Sequence, residues 1–207
     1  MRASVGLAFP SITAGLEGRT TWMYRDVEGY VTTGAGNKID PVGDALSLPW
    51  EISGQPADEE QIVSGWRAVK AMSRGLVARM YASATPLRLT DDAVDDLVRD
   101  TMIWVDHSLA NRFLMWETLP ADAQLGTLLL AWADGASGVE HNFPKFDAAL
   151  IGGDFATCAI ESHLDETGNP GLKPRNILTQ KLFLAAQRAV DQDLDLSILH
   201  YQDVAPG

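Results

Sequence analysis

The amino-acid sequence predicts an α+β protein, a small β-rich N-terminal lobe joined to a larger, mainly helical body. Three observations carry that expectation. Six glycines fall at positions 15, 18, 29, 34, 36 and 43, which favours short strands and tight turns in that stretch. After Pro56 apolar residues recur at three- and four-residue steps, the period of helices with one buried face. The chain has 207 residues, 46% of them hydrophobic, enough to bury a sizeable core. We read it as one domain, 1–207, with an N-terminal lobe over 1–56, a connecting helical stretch over 57–89 and a helical lobe over 90–207.

Taken in order, Phe9 to Leu16 reads as a short helix with Pro10 in its first turn, which leaves Glu17 at its C-terminal end. Thr21 to Asp26 alternates so that Trp22, Tyr24 and Asp26 share a face. Val27-Glu28-Gly29 supplies a glycine where a hairpin needs a positive φ, and Tyr30 to Thr33 returns as the second strand. Gly34-Ala35-Gly36 lacks the third glycine and the helix start of a phosphate loop, so it reads as a strand bend. Asp58-Glu59-Glu60 suits a helix N-terminus, followed by a stripe of Ile62, Trp66, Val69, Leu76 and Met80.

Thr90 is placed to cap a helix whose buried face is Val94, Leu97, Val98, Thr101, Met102, Val105 and Leu109. Its carboxylates at Asp91, Asp92, Asp95, Asp96 and Asp100 form a solvated face. Further helices are expected to start near Pro120, Pro144, Asp154 and Pro174, with the three prolines at first helical positions. The run Leu125 to Trp132 is apolar nearly all round and predicts the central buried helix. The last helix presents Ile177, Leu178, Leu182, Ala185, Ala186 and Ala189.

Charge and composition exclude several functions. Lys+Arg number 16 against Asp+Glu 28, a net charge of −12, which opposes non-specific nucleic-acid binding. Residues 1–40 are neutral, with four basic and four acidic side chains, so the acidity lies on the helical body. Such an exterior should repel anionic polymers, and added salt should relieve that repulsion. The lone cysteine, Cys158, sits in an apolar run and reads as a buried, inert thiol. His107, His141, His163 and His200 are isolated, so no metal site and no cofactor are expected. No signal peptide is read over Met1 to Pro10, no apolar stretch approaches the ~20 residues of a membrane span, and a monomer without stable membrane insertion is expected.

The chemistry concentrates between Glu17 and Asn37. A carboxylate at a helix C-terminus faces exposed carbonyls and the negative end of the dipole, which raises its pKa toward what a general acid needs. Asp26 at a hairpin end, with the Thr32 hydroxyl on the partner strand, can hold and activate one water. An acid on one side and a water-activating carboxylate on the other is the arrangement glycoside hydrolysis requires.

The whole string, Glu17-Gly18, Asp26, Glu28-Gly29-Tyr30, Thr32 and Gly34-Ala35-Gly36, resembles the catalytic signature of the phage-type lysozymes, glycoside hydrolase family 24. The resemblance implies a lysozyme-like fold, with Glu17 as general acid, Asp26 as the residue that activates water and Thr32 as its partner. Less specifically, Leu89-Thr90-Asp91-Asp92-Ala93, the stretch from Leu119 to Val139 and the segment Gly171 to Asn176 are similar to later parts of that family. By that likeness Arg175 is the candidate for the arginine that pairs with the catalytic acid. An arginine there would lower the acid's pKa while burial and the helix end raise it.

Two departures stand out. Asn37 occupies the position where the family has histidine, and Asp44 to Arg88 is longer than compact members allow. Trp50 and Tyr81 in that stretch are candidates for lining a sugar cleft, since sugar faces stack on aromatic rings; core packing is the other reading. The resemblance implies a muramidase acting on peptidoglycan glycan strands at the β-1,4 bond between N-acetylmuramic acid and N-acetylglucosamine, by single, inverting displacement. The rivals are a lytic transglycosylase, which needs no water-activating carboxylate, and an inactive wall-binding or virion module of the same fold. The expected route is synthesis in a bacterial cytoplasm and delivery to the wall by phage lysis, by the virion or by a secretion machine.

Overall fold

The computed structural model describes residues 1–167 and 169–203. Helix makes up 61% of the chain and small sheets 8%, so the class is α+β. The chain divides into two compact units: a hairpin unit, Thr13–Thr101, and a helical unit, Met1–Ile12 with the chain from Met102 onward. The divisions fall inside helices, not near residues 56 and 89, and the whole stretch 57–89 belongs to the hairpin unit.

Helix α1 spans Ala3–Glu17, six residues longer at its start than the sequence suggested, with Pro10 inside it. Proline there forfeits one backbone hydrogen bond. Val5 and Phe9, in the two turns ahead of it, are fully buried, and their burial anchors that part of the helix. Gly18 follows at φ +74°, the left-handed conformation that stops a helix, and leaves Glu17 as its last residue.

In the hairpin unit, β1 (Thr20–Arg25), β2 (Val31–Gly34) and β3 (Asn37–Lys38) form an antiparallel sheet in that order. Tyr24 lies directly opposite Thr32, and Thr32 opposite Lys38. Gly29 takes φ +95° at the first turn, as its position in the sequence predicted. A short helix α2 (Val42–Leu46) precedes a second hairpin, β4 (Glu51–Ile52) and β5 (Gln55–Pro56), turned by Ser53 and Gly54 at positive φ. Helix α3 (Glu59–Ala71) opens with a capping box between Asp58 and Gln61. It packs on β1 and β2, so the long stretch of sequence backs the sheet.

The stripe predicted to run on through Leu76 and Met80 breaks at Met72, whose extended ψ of 160° ends α3. A strap follows, turning at Gly75 (φ +79°) and closing in a 3-10 turn, Ala78–Tyr81. Leu76 and Met80 are therefore exposed rather than part of a buried face. Helix α4 (Asp91–Arg112) begins as expected, with the Thr90 hydroxyl accepting from the Ala93 amide at 3.1 Å.

The core of the helical unit is α5 (Ala121–Asp134), in which every residue from Ala121 to Ala131 is buried. Pro120 stands one place ahead of the predicted position, at the cap. Helices α6 (Ala136–Asn142), α7 (Pro144–Gly152), α8 (Phe155–Glu161) and α9 (Lys173–Asp191) complete the unit, with α6 and α9 packed directly on α5. The α5–α9 seam turns on Gly126, where an added Cβ would lie 2.9 Å from the Phe183 ring. Phe183 in turn meets Phe146 edge to face, with centroids 5.3 Å apart. On α9, Leu182, Ala185, Ala186 and Ala189 are buried as predicted, whereas Ile177 is exposed. Cys158 is buried on α8, and burial, with the nearby charge of Asp154, pushes its thiol pKa up to about 12; it has no nucleophilic character near neutrality.

Candidate functional site

Glu17, Asp26 and Thr32 all belong to the hairpin unit. The hairpin turn fixes Asp26. Its Oδ1 accepts from the amides of Gly29 (2.7 Å) and Tyr30 (2.8 Å), and its Oδ2 accepts from the Thr32 hydroxyl at 3.2 Å. Three donors from the turn and the partner strand thus orient a half-buried carboxylate that keeps contact with solvent. Thr32 is buried, with its hydroxyl directed to Asp26. The sequence brings these two together because β1 and β2 pair in a register that places Tyr24 opposite Thr32.

Glu17 is exposed at the end of α1, where the sequence placed it. Its carboxylate rests against the β2–β3 turn: an added Cβ on Gly36 would lie 3.5 Å from Oε2. Gly36, at φ +85°, gives the turn its conformation. The bend predicted at Gly34-Ala35-Gly36 is this turn, which joins β2 to β3 with no phosphate-loop geometry.

Asn37 carries the turn. Its Oδ1 accepts from the Ala35 amide at 3.1 Å, and its Nδ2 donates to the Thr101 hydroxyl at 2.9 Å. A side chain on Gly34 would collide with that Oδ1, at 2.7 Å. The buried amide thus ties the turn beside Glu17 to α4.

Tyr24 is the functional candidate that sequence reasoning passed over. It was seen to share a face with Asp26, but nothing in its spacing marked a role. Burial, then the charge of Glu17, then that of Asp26 raise its pKa far above the ordinary tyrosine value, so its phenol stays neutral. Both carboxylates thus lie within electrostatic reach of one phenol, which faces across the strand pair to Thr32.

The sheet is braced from behind. Asp40 accepts from the Val31 amide at 3.1 Å and forms an ion pair with Lys70 of α3. Burial raises the Asp40 pKa, but the Lys70 hydrogen bond, the Val31 amide and the charges of Lys70 and Lys38 outweigh it and hold it below the usual value. Lys70 also donates to the Gly29 carbonyl at 2.9 Å, which fastens the turn that carries Asp26.

Two predicted residues, Trp50 and Tyr81, lie in the core. Trp50 and Tyr81 are 1% and 0% exposed, which overturns their placement in a sugar cleft. Each spends its polar atom inside the fold, Trp50 Nε1 on the Ala45 carbonyl and the Tyr81 hydroxyl on the Ser73 carbonyl. Neither ring offers a face for stacking. Arg175 is on α9 in the helical unit, buried, with Nη1 donating to the Leu129 carbonyl at 2.6 Å. Among the described residues no group of three or more His, Cys, Asp or Glu is placed to hold a metal ion, and no helix is long and apolar enough to cross a membrane.

No family model and no curated protein matches the chain.

Proposed function

We propose that this protein is a muramidase with a lysozyme-like fold, cleaving the β-1,4 bond between N-acetylmuramic acid and N-acetylglucosamine in peptidoglycan. The observation that supports it most is the Thr32 hydroxyl bonded to Asp26 at 3.2 Å, in the same unit as Glu17 on the Gly36 turn. Residues scattered over the sequence motif share one unit, on the end of α1 and on the small sheet and its turns.

In this reading Glu17 protonates the glycosidic oxygen as the bond to the anomeric carbon breaks. Asp26, oriented by Thr32 and the two turn amides, takes a proton from the water that attacks the anomeric carbon from the opposite face. The product sugar has inverted configuration, and solvent exchange returns the proton from Asp26 to Glu17.

The decisive experiment is digestion of purified peptidoglycan by the protein and by Glu17→Gln, with mass-spectrometric identification of the new chain ends. We expect reducing N-acetylmuramic acid ends from the parent. Glu17→Gln should lose roughly 10²–10⁴-fold in rate, the usual worth of a positioned general acid, with an unchanged thermal melt. A 1,6-anhydro end would identify a transglycosylase. Absence of cleavage by the parent would leave a wall-binding or virion module.

A further inference from the structure

The chain carries twelve more acidic than basic residues, yet residues 61–90 hold Arg67, Lys70, Arg74, Arg79 and Arg88 and no acid at all. Two of the five are spent inside the fold. Lys70 pairs with Asp40, and Arg88 donates to the carbonyls of Ala82, Thr85 and Leu87. Arg67, Arg74 and Arg79 are exposed and make no ion pair or side-chain hydrogen bond among the described residues.

Arg74 and Arg79 belong to the strap between α3 and the turn Ala78–Tyr81, which also exposes Leu76 (39%), Val77 (59%) and Met80 (53%). The sequence pattern would have folded Leu76 and Met80 inward on a continuing helix; the chain presents them to solvent instead. The strap is firmly built. The Tyr81 hydroxyl closes it onto the Ser73 carbonyl at 2.7 Å, Trp22 Nε1 holds the Ala78 carbonyl at 2.9 Å, and the Arg25 guanidinium holds the Met72 carbonyl.

We propose that this strap is a docking surface for the anionic face of a phospholipid bilayer. Three exposed apolar side chains interspersed with two unpaired guanidinium groups match the chemistry of that interface, where acyl carbon lies just below a layer of phosphates. An anionic wall polymer would satisfy Arg74 and Arg79 but would leave Leu76, Val77 and Met80 in water. The acidity of the rest of the chain selects the orientation, since this basic stretch is a face that an anionic surface attracts. Five side chains give shallow, reversible attachment, without insertion. The proposal is independent of the catalytic reading.

Co-sedimentation with vesicles tests it, comparing phosphatidylcholine alone with phosphatidylcholine containing phosphatidylglycerol. We expect binding to the anionic vesicles only, falling as salt rises. The variant Leu76→Ser/Val77→Ser/Met80→Ser should weaken binding at least about tenfold, and Arg74→Ser/Arg79→Ser should weaken it and flatten its salt dependence. Val77→Trp should tighten it, a gain that no folding defect can mimic. The proposal is overturned if the full-length protein does not sediment with anionic vesicles, or if the triple variant binds them as well as the parent. It is equally overturned if soluble polyphosphate binds the parent and the triple variant alike and displaces both from vesicles, which would make the partner an anionic polymer.

Discussion

Asp26 and Asp122 do the same local work in the two units and end in opposite states. Asp26 accepts two turn amides and a threonine hydroxyl and stays half-exposed. Asp122, near the start of α5, accepts the amides of His200 (2.8 Å) and Tyr201 (2.9 Å) and is fully buried. Burial raises the Asp122 pKa against the lowering effect of those amides. What separates them is what remains open. Asp122 fastens the C-terminal segment to the core and has no surface left for a reactant, whereas Asp26 is held just as firmly with a solvent-facing side. Hydrogen-bond count alone marks neither as a site.

Substitution at each position separates the two roles. Asp26→Asn keeps an acceptor for the turn but no longer takes a proton, so cleavage of peptidoglycan should fall roughly 10²–10⁴-fold. Stability should change by no more than about 0.5 kcal/mol, because asparagine serves such turns as well as aspartate. Chemical denaturation alongside the digestion assay measures both. The opposite pattern, full activity with lost stability, would reduce Asp26 to a hairpin cap.

Asp122→Ala strands two amide donors and should cost about 2–4 kcal/mol of stability. The cleavage rate per folded molecule should stay at the parent value. An activity loss beyond the unfolded fraction would show that the two aspartates are not separable as described.

A smaller effect sits at the brace behind the turn. Lys70→Met removes the ion pair that holds Asp40, for a cost of about 1 kcal/mol at neutral pH once solvent screening of the half-exposed lysine is allowed for. The Asp40 pKa is lowered in the folded state, so its contribution is present above the unfolded value of about 3.9 and is lost as pH falls through the folded one. The stability gap between parent and Lys70→Met should therefore narrow in acid, down to the part carried by the Gly29 carbonyl bond. A gap that is constant from neutral pH to strongly acidic pH would mean that Lys70 acts through that bond and packing, without the ion pair.

Legibility from sequence followed the range of the forces involved. Local signals read well: the glycine at the first hairpin turn, the Thr90 cap and the apolar run of α5 each depend on a few neighbouring residues. The nearness of Asp26 and Thr32 was legible too, because hairpin register follows from a short turn, but not the direct bond between them. Tertiary effects were not. Phe9 and Val5 carry α1 through a proline, and Trp50 and Tyr81 lose their expected surface to the fold, because burial is decided by residues far away in the chain. The break after α3 was missed although Gly75 lay within the predicted stripe, since a glycine is tolerated inside a helix unless the chain needs its left-handed conformation. Asn37 and Tyr24 were opaque for a related reason: their partners on α4 and at the end of α1 appear only once the sheet is assembled.

Tyr24 gives the finest test, because it reports on both carboxylates without any substrate. Its phenolate absorbance, isolated as the difference between the parent and Tyr24→Phe, should titrate above the ordinary tyrosine range. A raised phenol pKa contributes stability that is whole below the unfolded value of about 10 and is lost as pH climbs, so Tyr24→Phe should also soften alkaline unfolding. Burial is the largest cause and stays in place in carboxylate variants. Glu17→Gln should then lower the Tyr24 pKa by a minor part of its elevation, and Asp26→Asn by less, in the order of their charges' effect. If only one substitution moves the titration, the two carboxylates do not converge on this phenol. A shift from both, in that order, would place acid and base around one neutral hydroxyl by a measurement that owes nothing to cell-wall cleavage.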